Sequence, residues 1–305
     1  SRGFFAGVVM LAELFAILAP VLITAGIGYG WARSGQEFTS SFIAQLTLRI
    51  GTPALVLSAL TRTRIEPDAF LEMVFACVLV TLLMGATGWL ISRLLRKDWR
   101  ILVPAFLFSN TGNLGLPICL YAFGEPGLAL AVAFFIVLSV SQFSLGELFS
   151  GERSLKKALL NPTLLSVALA LPVVFLELQL PRWLQNSLDL LGGMTIPLML
   201  LTLGVSLATI RVRHLAQGLV LGGLRVGSGA LLAWLVGTAL GVPALTLGVL
   251  VLQAAMPVGV FNYLFALRAN RSPEEVASLV LCSTLLALLL LPVLLAWLLP
   301  ALRLN

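Results

Sequence analysis

The chain has 305 residues, 59% of them hydrophobic and only 10% charged, where a soluble globular protein carries roughly 45–50% and 25%. With a mean hydropathy of +1.05, this excludes a soluble protein and leaves a polytopic membrane protein whose main surroundings are the lipid bilayer. The net charge of +6 would suggest an acidic partner in a soluble chain, but here the basic residues fall between apolar runs, where they set topology, and nothing points to nucleic acid.

Each span of the hydrocarbon core takes about 20 apolar residues. The apolar runs exceed the roughly ten-residue alternating segments of an outer-membrane barrel, so the fold class expected is an all-α polytopic membrane protein. In chain order the runs predict ten spans, at about 10–32, 39–60, 69–92, 100–123, 127–149, 162–180, 183–209, 215–240, 243–267 and 275–299. Trp31, Trp99, Trp183 and Trp297 fall at or near predicted ends, as an interfacial aromatic belt places them. Residues 1–9 precede the first methionine, Met10. No cleavable signal is expected, because the stretch that follows is a full-length span without a small-residue cleavage site before polar sequence.

Ten spans put five of the Lys and Arg residues on one side and twelve on the other, with Arg49 and Arg225 inside spans, which accounts for all 19. The richer side is cytoplasmic by the positive-inside rule. Both termini are then extracytoplasmic, in a cell membrane of the bacterial inner-membrane type.

The chain also reads as doubled. Pro20 and Pro162, Pro53 and Pro197, and Pro117 and Pro257 recur at near-constant offsets in the same order. Residues 10–150 form the first five-span repeat, 151–161 a short cytoplasmic linker and 162–300 the second. An odd number of spans per half makes the two halves inverted, an architecture common among secondary transporters.

The most informative stretch lies in the fourth span, Ser109-Asn110-Thr111-Gly112-Asn113-Leu114-Gly115-Leu116-Pro117. Proline removes a backbone hydrogen bond and glycine costs about 1 kcal/mol against alanine, so the helix is expected to break here. Unpaired backbone at membrane depth is tolerated where it lines a cavity or is buried in protein, and the N-terminus of a half-helix attracts anions. A proline kink packed by small residues is the plainer alternative. The corresponding stretch in the ninth span is Gln253-Ala254-Ala255-Met256-Pro257-Val258-Gly259-Val260-Phe261-Asn262-Tyr263, with Gln253 matching Asn113 at the offset of the prolines. Two broken helices in corresponding positions of two halves point to a transport site. Its candidate substrate-binding residues are Asn110, Thr111, Asn113, Gln253 and Asn262, with Arg49 added as an in-span cation.

Arg49 and Arg225 stand inside spans, where a charge is costly. Either attracts an anion, or else pairs internally or reaches an interface with its charged end. Asp189 and Glu13 are candidate partners, or proton carriers for coupling. Cys77, Cys119 and Cys282 lie within apolar runs, and the sole histidine is His214 in a loop. No metal site, cofactor or catalytic residue is expected, and the chain reads as no enzyme.

The first broken stretch resembles the Asn-Thr-x-x-x-Gly-x-Pro break of the auxin efflux carrier family, and the second is similar to its Gln-Ala-Ala-x-Pro-x-Gly segment. Asn161-Pro162, and Met194-Thr195-Ile196-Pro197 leading to Leu203-Gly204-Val205-Ser206-Leu207, are similar to bacterial members. The resemblance runs from Met10 to the end. It implies ten helices with helices 4 and 9 broken and crossing, an elevator-type mechanism, a scaffold of spans 1, 2, 6 and 7, and carboxylated organic anions as substrates. Carried over by position, Asn110 faces the substrate carboxylate, while Pro117 and Pro257, with Gly115 and Gly259 beside them, mark the crossover. Asn262 stands where plant auxin carriers tend to have a second proline, and the central loop is short. Both departures point to the bacterial organic-acid carriers. The expected partners are a small organic anion and, by analogy with other elevators, a second copy in a homodimer. H+ or Na+ stands as coupling ion, with a sodium-coupled symporter resembling the bile acid carriers as the alternative. A membrane-embedded sensor is the remaining alternative, although the loops hold no recognisable output module.

Overall fold

The computed structural model describes residues 2–62, 66–150, 162–176, 178–210 and 213–303. The predicted linker at 151–161 therefore lies outside the described residues. Within them the chain is helical apart from loops and one isolated β-bridge.

Helix α1 runs Arg2–Arg33, beginning before the predicted span, and α2 covers Ser40–Arg62 with a π-type turn at Thr47–Gly51. Helix α3, Pro67–Leu94, opens on a proline at its first position, where the missing N–H would be unpaired anyway. A short turn leads to α4, Trp99–Leu107, whose N-cap Asp98 accepts a hydrogen bond from the Arg100 amide.

After a break, a π-type turn at Thr111–Gly115 enters α5, Leu116–Ser150. Gly124 interrupts α5 at φ 68°, ψ −163°, which only glycine adopts without strain, and so separates two of the predicted spans. The remaining helices are α6 (Pro162–Phe175), α7 (Arg182–Gly193), α8 (Thr195–Thr209), α9 (Leu215–Leu240), α10 (Ala244–Ala254), α11 (Phe261–Arg268) and α12 (Pro273–Arg303). The predicted span 183–209 is thus two helices, with Pro197 in the first turn of α8, where proline costs least.

Seven of the described helical stretches are long and apolar enough to cross a bilayer. The difference from ten has local causes. The broken fourth and ninth segments yield short pieces, α4 running straight into its break and α10 covering only Ala244–Ala254. The stretch Thr111–Gln142 joins parts of two predicted spans, and α6 is 14 residues long as described. The chain is a multi-pass membrane protein.

The helices pack mainly within two groups. Helix α1 lies along α8 so closely that a Cβ on Gly28 would stand 2.1 Å from the Leu201 carbonyl oxygen, and one on Gly204 1.8 Å from that of Ala25. The second half of α2 packs on α6 and α7. In the other group α3 packs on α4 and α9, and α9 on α10 and α12. Contacts between the groups are fewer and involve α5 and the Thr111–Gly115 turn, with a smaller direct contact of α1 on α12. Three ion pairs tie the second group together at one end: Lys97 with Glu275 at 3.0 Å, Arg213 with Glu274 at 2.9 Å and Arg271 with Asp98 at 2.9 Å.

Candidate functional site

The two irregular segments cross each other. Phe108, at φ −101°, ψ 89°, leaves helical geometry after α4, and Ala255–Val260 separates α10 from α11. The strands so exposed run antiparallel, with Ser109 opposite Val258. The Asn110 amide donates to the Pro257 carbonyl at 2.8 Å and the Gly259 amide to the Phe108 carbonyl at 2.9 Å. The Val258 amide donates to Ser283 Oγ of α12 at 3.0 Å. Backbone groups freed by breaking two helices thus find partners in protein, as burial at membrane depth requires.

The amide side chains of the crossing are all buried, Asn110 at 5%, Asn262 at 3% and Gln253 at 0% exposure. Asn262 Nδ2 donates to the carbonyls of Phe108 at 2.8 Å and Gly259 at 3.0 Å, so it bridges both segments. Gln253 Nε2 reaches the Ala131 carbonyl of α5 at 3.5 Å. Three amide atoms have no hydrogen-bond partner: Asn110 Nδ2, Gln253 Oε1 and Asn262 Oδ1. A buried polar group without a partner costs about 1–3 kcal/mol, and three such atoms gather around this one crossing. For Asn262 and Gln253 the assignment of amide N and O follows from the hydrogen bonds each makes.

Glycine makes these approaches feasible. A Cβ on Gly115 would stand 2.2 Å from Gln253 Oε1, and one on Gly259 3.0 Å from the Phe108 carbonyl oxygen. Pro257 is within the crossing. Pro117 stands just beyond the π-type turn, as the second residue of α5, while the backbone hydrogen bonds between the segments fall at Phe108–Asn110. Thr111 is buried at the start of that turn, and Asn113, in the same turn, is half-buried.

The predicted charged residues lie elsewhere. Arg49 is exposed, in the π-type turn of α2, which packs against α6, α7 and α8. Asp189 of α7 accepts hydrogen bonds from Ser58 and, at 2.9 Å, from Gln185 Nε2. Its ion-pair partner is Arg62, at 4.0 Å, which also stands 3.7 Å from Glu125. Asp189 is thus engaged with α2 and pairs with neither Arg49 nor Arg225. Glu13 is half-buried in α1.

Two contributors were not legible beforehand. Ser283 is one polar residue in an apolar run, with nothing to mark its partner. Arg225, read as attracting an anion or pairing internally but with no partner assigned at the breaks, donates from its guanidinium to the Ala254 carbonyl at 2.8 Å, directly at the second break.

Beside the crossing a crevice between α4 and α11 is lined by Arg100, Ile101, Pro104, Asn262, Phe265 and Arg271, among others. Its cavity is about 10 Å³, room for about one water. No group of three or more His, Cys, Asp or Glu among the described residues is placed to hold a metal ion.

The chain matches a family described as membrane transport protein over residues 14–148 and 147–295. An uncharacterized transporter of Methanothermobacter thermautotrophicus is 28% identical over 287 residues, covering 89% of this chain and 94% of its own length. An uncharacterized transporter of Methanocaldococcus jannaschii is 24% identical over 289 residues, covering 88% and 94%. With nearly all of its length matched, the chain belongs to this membrane transport protein family, the auxin efflux carrier family whose broken-helix motifs it carries.

Proposed function

We propose that the protein is a secondary active transporter of the elevator type that moves a small organic anion, a carboxylate, across the cell membrane, with its site where the two broken segments cross. The observation that carries this reading is the crossing itself: two unwound segments hydrogen-bonded to one another, with the buried amides of Asn110, Gln253 and Asn262 keeping unbonded atoms there. Asn110 Nδ2 is a free donor for a carboxylate oxygen. The inverted five-span repeat, 10–150 and 162–300 with both termini extracytoplasmic, accounts for breaks at matching places in the two halves. The division of packing into two groups supports the elevator: α1, α2, α6, α7 and α8 form the scaffold, and the group holding the crossing moves against it. A homodimer through the scaffold follows by analogy, and crosslinking in lipid tests it.

The test of the site is thermal unfolding of the purified protein with and without small mono- and dicarboxylates and auxin-like acids, in parallel with Asn110→Ala. A ligand that binds the folded state raises the melting temperature by mass action. An acid that stabilises the parent but not Asn110→Ala supports the reading. If no acid shifts either protein while both remain folded, the carboxylate reading fails.

A sodium-coupled symport is the second reading, favoured by two free acceptors, Gln253 Oε1 and Asn262 Oδ1, since hard cations take oxygen ligands. Replacing sodium by choline in an uptake assay decides it: uptake that persists in choline excludes sodium and leaves protons or membrane potential as the drive.

A further inference from the structure

Arg225 lies in α9 and is 1% exposed, the largest of the fully buried side chains. Its guanidinium donates to one neutral acceptor, the Ala254 carbonyl at 2.8 Å, and its Nε has no partner. Among the described residues no ion pair includes it. A permanently charged group is therefore held inside the protein with no carboxylate against it.

The carbonyl it meets ends α10, so the charge stands at the second break, next in sequence to Gln253. The approach is built in: a Cβ on Gly229, one turn along α9, would stand 2.0 Å from the Ala254 carbonyl oxygen and 2.8 Å from the Arg225 guanidinium. The C-terminal end of a helix carries about half a negative charge, which offsets part of the cation and leaves the rest. A cap for one carbonyl needs only a neutral donor. The positive charge is surplus to that role, and it sits beside the segment where Asn110, Gln253 and Asn262 have unbonded amide atoms.

We propose that Arg225 supplies the fixed positive charge that the transported anion neutralises, so that the crossing accepts a singly charged carboxylate and discriminates against both the uncharged amide and the dicarboxylate of the same skeleton. This rests on the crossing being the binding site. Arg225 acts as a charge-setting residue behind the amides, which orient the ligand.

The experiment measures binding to the purified full-length protein in detergent at constant ionic strength. It uses matched probes: butyrate, butyramide and succinate, and benzoate, benzamide and phthalate. The parent should bind the monocarboxylate of a set at least tenfold more tightly than its amide or diacid. Arg225→Gln keeps a donor for the Ala254 carbonyl but removes the charge. It should lose at least tenfold in affinity for the monocarboxylate, with acid and amide then bound alike, while Arg225→Lys retains the preference for the acid. If Arg225→Gln binds the acid as the parent does while Asn110→Ala does not, the inference is overturned and the crossing stands as the site. If no carboxylate of either set binds the parent, both fall. Should Arg225→Gln fail to fold, the parent alone decides: a diacid bound as tightly as its monoacid overturns the proposal.

Discussion

The two breaks face each other, yet they use their polar residues differently. The second fastens. Asn262 ties it to Phe108, Gln253 reaches across to Ala131, Ser283 holds Val258 and Arg225 holds Ala254. The first contributes backbone, with Asn110 giving its main-chain amide to Pro257 while its side-chain Nδ2 stays unbonded. Two segments in corresponding positions of the sequence have therefore divided their labour. The second break is the more tightly fastened and keeps only acceptors unbonded, Gln253 Oε1 and Asn262 Oδ1, while the first keeps a donor in reserve, and the reserve donor is the better place to look for contact with an anion.

Substitutions separate these roles by stability. Gly229→Ala should be the most damaging, because backbone stands 2.0 Å from the new Cβ; a loss of about 3 kcal/mol would appear as a large drop in melting temperature in detergent. Asn262→Ala removes two hydrogen bonds from buried carbonyls and should cost about 2 kcal/mol by the same measurement. Gly259→Ala needs only a small shift of the Phe108 carbonyl, 3.0 Å away, and about 1 kcal/mol is expected. Asn110→Ala should change stability least, by less than about 1 kcal/mol, because its Nδ2 has no partner to lose, and should instead abolish stabilisation by ligand. If Asn110→Ala unfolds as early as Asn262→Ala, the contrast between the breaks is gone.

Much of this architecture was legible because lipid imposes a length on apolar runs, and each predicted segment contains helix. The breaks were legible because Asn, Gly and Pro crowd into stretches that should be apolar. The crossing point was not. Pro117 drew attention to itself, but the chain leaves helical geometry earlier, at Phe108, and Pro117 stands inside the helical stretch that begins at Thr111. The separation of α7 from α8 was equally hidden, since Pro197 suits an uninterrupted run as well as a helix start. Apart from Gln185, the partners of Asp189, namely Ser58 and Arg62, come from a distant part of the chain, and no one-dimensional pattern encodes a carbonyl as the mate of the Arg225 guanidinium.

The contact between Arg225 and Ala254 also bears on how the chain is made. The acceptor is 29 residues downstream of the arginine, on a helix that emerges from the ribosome later. Helix α9 therefore reaches the translocon with its guanidinium unsatisfied, at a cost of about 2.5–3.5 kcal/mol on insertion scales, and the debt is met only when α10 enters beside it. The expected consequence is that α9 and α10 enter the bilayer as a hairpin, so that a chain truncated between them leaves α9 less completely inserted than one that includes α10, as a glycosylation-mapping assay would read.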